Sequence, residues 1–295
     1  MKTNVKLSAD CMECMVKRQM GKIPPGTDET TKSVFLKEIF QIIGNSTEED
    51  TAPVLLSKII PVNEKYFGEA DSYEAEKKQY NAMMLDVEPE IEARIRQAAD
   101  PVYTAALYAR VGNYIDFGAM DHVSGEKLQE LIQKAEGETL DPKEYAAFLQ
   151  DMEQARELVY LTDNCGEIVL DKLLIRELLR AFPHVKITVL VRGSYVINDA
   201  TWEDAETAGL TDLVPVVGNG TAIAGTSLKD LSPEARKLLD SADLIISKGQ
   251  GNFETLNGCG LNIYYMFLCK CHWFVKRFGM KQYEGVFVND RNLDF

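Results

Sequence analysis

Apolar residues recur at helical spacing through residues 1–150, and from residue 155 onward the pattern changes to short continuous apolar runs. Asp28 precedes Phe35, Ile39, Ile42 and Ile43, which share one face of a helix, and its carboxylate suits the cap of a first turn. Thr51 and Pro53 open another helix, for which Pro61 predicts the limit, because proline removes a backbone donor and crowds the preceding turn. Asp71 is expected to cap a helix carrying Tyr73 and Lys77, and Asp100-Pro101 reopens a helix through Leu107. Ser124 precedes Leu128, Leu131, Ile132 and Ala135, an amphipathic stretch that Gly137 ends.

The second half reads differently. Leu158 to Leu161, Val185 to Val191, Leu213 to Val217, Leu244 to Ile246, Tyr264 to Leu268 and Val286 to Asn289 are strand candidates, interleaved with the helical stretches Ile168 to Leu179 and Pro233 to Leu239. That alternation predicts an α/β fold with a mostly parallel sheet and helices on its faces. The expected division is a helical N-terminal domain, residues 1–150, and an α/β domain, residues 151–295.

Three polar clusters follow three of the predicted strands: Thr162-Asp163-Asn164-Cys165-Gly166-Glu167, Asn198-Asp199-Ala200-Thr201 and Lys248-Gly249-Gln250-Gly251-Asn252-Phe253-Glu254. Ligands of open α/β sheets sit beyond the carboxyl ends of the strands, so the clusters are expected to meet. Asp163, Asn164 and Asp199 would offer two carboxylates and an amide oxygen, a donor set for a hard divalent cation such as Mg²⁺ or Mn²⁺. Two carboxylates balance such an ion, leaving it open to a phosphate oxygen and a water. The commoner role of an Asp-Asn pair before a helix is to cap it.

Lys248, with Gly249 and Gly251 beside it, could form an anion-binding concavity in which the lysine contributes about 4 kcal/mol of attraction per unit charge; the plainer alternative is a turn with a solvated lysine. On local grounds Asn113-Tyr114-Ile115-Asp116-Phe117-Gly118 closes the helix Pro101 to Gly112.

Composition narrows the function. The chain has 295 residues, 45% of them hydrophobic, a formal charge of −14 and a pI near 4.8. Such an acidic surface argues against nucleic acid, whose binding requires Lys and Arg to displace counterions. Met1 to Lys6 lacks the apolar stretch of a secretory signal and no segment offers about 18 uninterrupted apolar residues, so a cytoplasmic protein without a membrane partner is expected. Cys11-Met12-Glu13-Cys14 and Cys269-Lys270-Cys271 would make a four-thiolate zinc or redox site if the termini met; packing as small apolar residues is the preferred role. His122, His184 and His272 are scattered without partner spacing, and Tyr264-Tyr265 and Trp273-Phe274 fit core packing.

Taken in order, Cys11-x-x-Cys14, Asp71-x-Tyr73-x-x-x-Lys77, Gly112-Asn113-x-x-Asp116-Phe117-Gly118, Thr162-Asp163-Asn164-x-Gly166-Glu167, Asn198-Asp199-Ala200-Thr201-x-x-Asp204-Ala205, Lys248 to Glu254 and Lys270-Cys271 resemble the damage-control phosphatase family, also known as domain of unknown function 89, in its short microbial form. The resemblance implies a helical portion packed on a three-layer α/β/α, Rossmann-like domain. It also implies a metal-dependent phosphatase acting on small phosphorylated metabolites such as sugar phosphates or phosphopantetheine-type compounds. Asp163, Asn164 and Asp199 match the family's metal ligands, with Mn²⁺, Mg²⁺, Co²⁺ and Ni²⁺ as candidate ions. Its substrate loop falls on Lys248, Gly249, Gln250, Asn252 and Glu254, its C-terminal lysine on Lys270, and its pocket asparagine and aspartate on Asn113 and Asp116.

The catalytic roles expected are therefore Asp163 and Asp199 at the metal, with Asp199 or Glu254 orienting water, and Lys248 neutralising developing charge. The chain departs from the family at Cys269-Lys270-Cys271-His272-Trp273, where an extra cysteine prevents any thiol role from being carried over. Two other readings remain: a non-catalytic protein that binds a phosphometabolite or a metal, and a protein carboxyl methyltransferase using S-adenosylmethionine, as some relatives have been described. The second lacks a G-x-G-x-x-G fingerprint in its support.

Overall fold

The computed structural model describes residues 6–68, 73–113 and 125–293. A six-stranded sheet of order β3-β2-β1-β4-β5-β6 is built from β1 (Glu157–Leu161), β2 (Lys186–Val191), β3 (Val216–Gly218), β4 (Leu244–Lys248), β5 (Ile263–Leu268) and β6 (Gly285–Asn289). Neighbours are parallel except β6, which runs antiparallel to β5. Every side chain of β4 and β5 is buried, which is why these strands read as continuous apolar runs rather than alternating ones. From β1 the chain builds outward to β2 and β3, then crosses back to β4 on the other side of β1. The strand order thus reverses between β1 and β4, and in open α/β sheets a crevice opens at that point.

Among the described residues seven helices precede the sheet: α1 (Ala9–Gly21), α2 (Glu29–Gly44), α3 (Ala52–Phe67), α4 (Glu74–Gln97), α5 (Pro101–Gly112), α6 (Gly125–Gly137) and α7 (Pro142–Gln154). Five more lie between the strands: α8 (Glu167–Ala181), α9 (Trp202–Thr207), α10 (Pro233–Ser241), α11 (Gln250–Leu256) and α12 (His272–Phe278). The period-two alternation of β1 divides the core. Leu158 and Tyr160 face a cluster that includes Met84 and Ile91 of α4, Ala105 and Ala109 of α5, Phe148 of α7 and Leu170 and Leu174 of α8. Val159 and Leu161 face the opposite layer, with Leu239 of α10, Phe253 of α11 and Phe274 of α12. A third cluster joins α1 to α3 through Met15, Phe35, Ile39, Ile43, Leu55 and Ile59, whose spacing on α2 is one residue per turn.

All six expected strands form, the third shortened and shifted to Val216–Gly218. Asp28 caps α2 through the Thr31 backbone, as expected. Pro61 does not end its helix: α3 runs on to Phe67. The lost backbone bond is offset by packing, since the last turn brings Tyr66 and Phe67 edge-on to Phe35 with ring centroids 5.8 and 4.8 Å away. The helix opened by Asp100-Pro101 continues past Leu107 to Gly112. Among the described residues no helix is long and apolar enough to cross a membrane. Asp71, Asp116, His122 and Ser124 lie outside the described residues.

Candidate active site

The loops after β1 and β2 are sewn together by their backbones. Ala200 N–H donates to Asp163 O at 2.8 Å and Cys165 N–H to Asn198 O at 2.9 Å, so Asn164 and Asp199 pair as an antiparallel bridge. This pairing, not capping, places the predicted ligands side by side. The Thr162-to-Glu167 cluster, the Asn198-to-Thr201 cluster and the loop after β4 do meet: Gly249, with φ of +80°, is so close to Asp163 that an added Cβ would fall 2.1 Å from Asp163 Cγ.

Hydrogen bonds fix each side chain. Asp163 Oδ2 accepts from the amides of Asn113 and Asn164, both at 2.8 Å. Each amide spends its second hydrogen on Glu167 Oε2, at 3.0 Å from Asn113 and 2.9 Å from Asn164. Asn164 Oδ1 accepts from Asn198 at 2.9 Å. Asp199 Oδ2 accepts from Arg192 Nε at 2.6 Å, and the Asp199 carbonyl from Lys77 Nζ at 2.8 Å. Ile197, two residues before Asp199, holds φ of +47°, a conformation that β-branched residues rarely adopt and that marks this turn as strained.

The electrostatics are dominated by carboxylates. Burial, then the charges of Glu167 and Asp199, push Asp163 up to about 7 against the pull of Lys270 and Arg192. Burial also raises Asp199, opposed by Arg192. Glu167 is itself fully buried, but the charge and hydrogen bond of Lys248 outweigh that burial and hold its carboxyl below the usual range. Two carboxylates and an amide oxygen, with the Glu167 carboxylate beside them, fit a divalent cation with a preference for oxygen. The Asp163 side chain is 15% exposed, so the cluster is reachable.

Several expected site residues take other places. Lys248 Nζ is fully buried and has an acceptor for each of its three hydrogens: Ala109 O at 2.8 Å, Glu167 Oε1 at 2.6 Å and Asp171 Oδ1 at 2.5 Å. It is directed into the protein, where the sequence reading had it facing a phosphate. The Gly249 N–H is likewise spent, on Met266 O at 3.2 Å, and Gly251 is required by the close passage of Ala224 O, 2.0 Å from where its Cβ would be. Asn252 is buried, donating to Thr162 O and Lys248 O and accepting from Arg192.

Gln250 accepts from the Lys270 N–H at 3.1 Å and so holds the loop of that lysine, whose charge acts on both Asp163 and Glu167. Glu254 keeps other company: burial raises it to about 7 against Arg277 and Arg18, and its charge acts on Cys11 and Cys271. The termini do approach there, but among the described residues no three His, Cys, Asp or Glu side chains gather as a metal group. Cys14 is exposed, Cys11 and Cys271 are half-buried, and Cys269 is buried in the apolar layer of α12.

Three contributors escaped the sequence reading. Asp171 follows Glu167 by four residues on the same face of α8, an acidic pair in an otherwise apolar stretch. Arg192 stands directly after β2, as Thr162 does after β1. Asn81 of α4 accepts from the Gly166 N–H and donates to Asp204, each at 2.7 Å, and only the fold brings it there.

Sheet, switch point and buried acidic cluster together define an α/β protein whose polar site lies at the carboxyl ends of the central strands. Residues 7–286 match the family described as the damage-control phosphatase ARMT1-like domain. The chain belongs to this damage-control phosphatase family. A damage-control phosphatase of Archaeoglobus fulgidus is 31% identical, over 94% of this chain and 96% of its own. A Pyrococcus horikoshii damage-control phosphatase, PH1575, is 28% identical over 98% of this chain and 99% of its own. The crystal structure of a DUF89 family protein from that organism superposes with a TM-score of 0.80 and 27% identity, covering 96% of this chain and 99% of the other.

Proposed function

We propose that this protein is a divalent-metal-dependent phosphatase that hydrolyses small phosphorylated metabolites, with sugar phosphates and phosphopantetheine-type compounds as the expected class. The observation that supports the reading most is the backbone bridge between Asn164 and Asp199, which puts Asp163, Asn164 and Asp199 together, with the charge of Lys270 acting on Asp163. These three residues would hold Mg²⁺, Mn²⁺, Co²⁺ or Ni²⁺. Bound there, such an ion supplies a Lewis acid for the phosphoryl oxygen and lowers the pKa of a water.

The chain's own residues divide the remaining tasks. Asn113 and Asn164 hold the Asp163 carboxylate in one orientation, Lys270 offsets negative charge on the phosphoryl group, and Lys248 keeps Glu167 ionised without touching substrate. Asp163 acts as ligand and Asp199 orients the attacking water. The water oxygen bonds to phosphorus, the ester P–O bond breaks, and the departing oxygen takes up a proton.

The test is phosphate release from aryl and sugar phosphates with each of the four ions. Asp163→Asn should abolish release while circular dichroism shows an intact fold. Unchanged turnover in that variant, or none in the wild type with any ion, sinks the hydrolase reading. Thermal stabilisation by a phosphometabolite without turnover would favour a binding protein, and stabilisation by S-adenosylmethionine the methyltransferase.

A further inference from the structure

Arg192 leaves the end of β2 pointing into the site and is 3% exposed. Its guanidinium is pinned on two sides. Nε donates to Asp199 Oδ2 at 2.6 Å; Nη1 donates to Asn252 Oδ1 at 3.0 Å and Thr226 Oγ1 at 3.3 Å. Thr226 in turn donates to Asn252 Oδ1 at 2.8 Å, so the fork cannot rotate without breaking a connected set of bonds. The third nitrogen, Nη2, is buried and has no hydrogen-bond partner among the described residues. Its closest acidic oxygen is Asp163 Oδ1 at 4.0 Å, beyond hydrogen-bond reach.

A buried guanidinium nitrogen left unpaired is costly, and such groups mark places where a partner is supplied from outside the chain. Pairing with Asp199 needs only Nε, so charge balance at Asp199 does not account for a rigid fork with its free tine turned toward Asp163. The partner has to be an acceptor small enough to reach Nη2 beside the Asp163–Asp199 cluster, and the charge of the guanidinium favours an anionic one. A phosphoryl oxygen meets these requirements, and the planar fork of arginine suits it better than the point charge of lysine.

We propose that Arg192 Nη2 donates a hydrogen bond to a non-bridging oxygen of the substrate's phosphoryl group, making Arg192 a catalytic residue and Asn252 and Thr226 its positioning residues. This rests on the hydrolase reading above and deepens it. Arg192 forms no covalent bond and gives up no proton; it stabilises charge that accumulates on the equatorial oxygens as water adds and the ester oxygen departs. The fork is held in its orientation by Asp199, Asn252 and Thr226 before substrate arrives.

The experiment compares wild type, Arg192→Lys and Arg192→Gln as full-length protein in Mn²⁺. Binding of inorganic phosphate is measured by calorimetry, and kcat and KM with an aryl phosphate. Arg192→Lys keeps the charge and loses the fork; Arg192→Gln keeps one donor for Asp199 and serves where the lysine variant does not fold. Phosphate binding should weaken about tenfold or more and kcat fall about 100-fold, the loss usual for one oriented donor, in variants that circular dichroism shows to be folded. Added guanidinium should restore part of the turnover in Arg192→Gln, which a purely structural role would not allow. Wild-type phosphate affinity in both variants overturns the proposal, as does a wild type that binds no phosphate. A wild type that binds phosphate but hydrolyses nothing overturns the phosphatase reading alone, and the binding comparison then still decides the contact.

Discussion

Gly249→Ala is the sharpest local perturbation of the site. Gly249 has φ of 80° and ψ of 158°, a region that residues with a side chain enter only at a cost of about 1–3 kcal/mol. The added methyl would stand 2.1 Å from Asp163 Cγ and 2.2 and 2.4 Å from its two oxygens. Carbon atoms rest at about 3.5–4.0 Å, so the carboxylate must retreat by more than about 1 Å. It cannot do so freely, because Asn113 and Asn164 grip Oδ2. A displacement of that size at a reacting centre costs on the order of 100-fold in rate. The assay is kcat/KM for phosphate release, paired with a melting curve. Gly209→Ala is the control: its φ is +69° with nothing within 4 Å of the new Cβ, so it bears backbone strain alone and should keep full turnover. A folded Gly249→Ala protein with turnover within about threefold of wild type would refute the reasoning, since the Asp163 carboxylate could then not be where the chemistry occurs.

Two further outcomes concern charge burial. Lys248→Met leaves Glu167 and Asp171, both inaccessible to solvent, without their shared cation, and should cost about 3–5 kcal/mol in urea unfolding. A cost below about 1 kcal/mol with turnover lost would return Lys248 to the phosphoryl group. Asp50, held by the Thr47 backbone and by Lys58, is lowered from 3.8 to about 2. A depressed carboxyl stabilises above its unfolded value and loses that contribution as pH falls through its folded one. The penalty for Asp50→Asn, on the order of 1–2 kcal/mol at neutral pH after allowing for the half-exposed lysine, should therefore fade between pH 4 and 2; a carboxyl titration midpoint at 3.8 or above would contradict this.

How much of this was legible follows from what each residue's signal depends on. The strands were readable because a parallel sheet covered on both faces demands unbroken Val, Ile and Leu, and the meeting of Asp163, Asn164 and Asp199 was readable because strand ends in such a sheet converge. Pro61 misled because its local penalty is real and the aromatic packing of Tyr66 and Phe67 that overrides it is a tertiary fact. Lys248 misled for a related reason: it is the last residue of β4 and does not lie in the loop after it, and the direction of its side chain is set by Glu167 and Asp171 on α8. Gly249 was singled out for ligand approach, whereas its missing side chain makes room for Asp163. Arg192 stands one residue past β2 and Lys248 is the last residue of β4, so asking which cation closes each strand finds both.

The buried lysine has a consequence for the side-chain oxygen of Asn164. Lys248 occupies Glu167 Oε1 and keeps the carboxyl ionised, so Oε2 must accept, and it accepts from both Asn113 and Asn164. With its two hydrogens spent on Glu167 and Asp163, Asn164 has to turn its carbonyl oxygen the other way, toward Asn198 and the side of Asp199. That is the orientation the proposed cation needs. Were Glu167 protonated, it would donate, and the Asn164 amide would be free to flip its nitrogen toward the ion. The proposed cation would thus depend on Lys248, two residues removed from it, and on the helices as well. Asn113 ends α5, while Lys77 and Asn81 of α4 hold the Asp199 carbonyl and the Gly166 turn. The sheet presents the ligands, but their orientation before any ion arrives is set by side chains of the helical half.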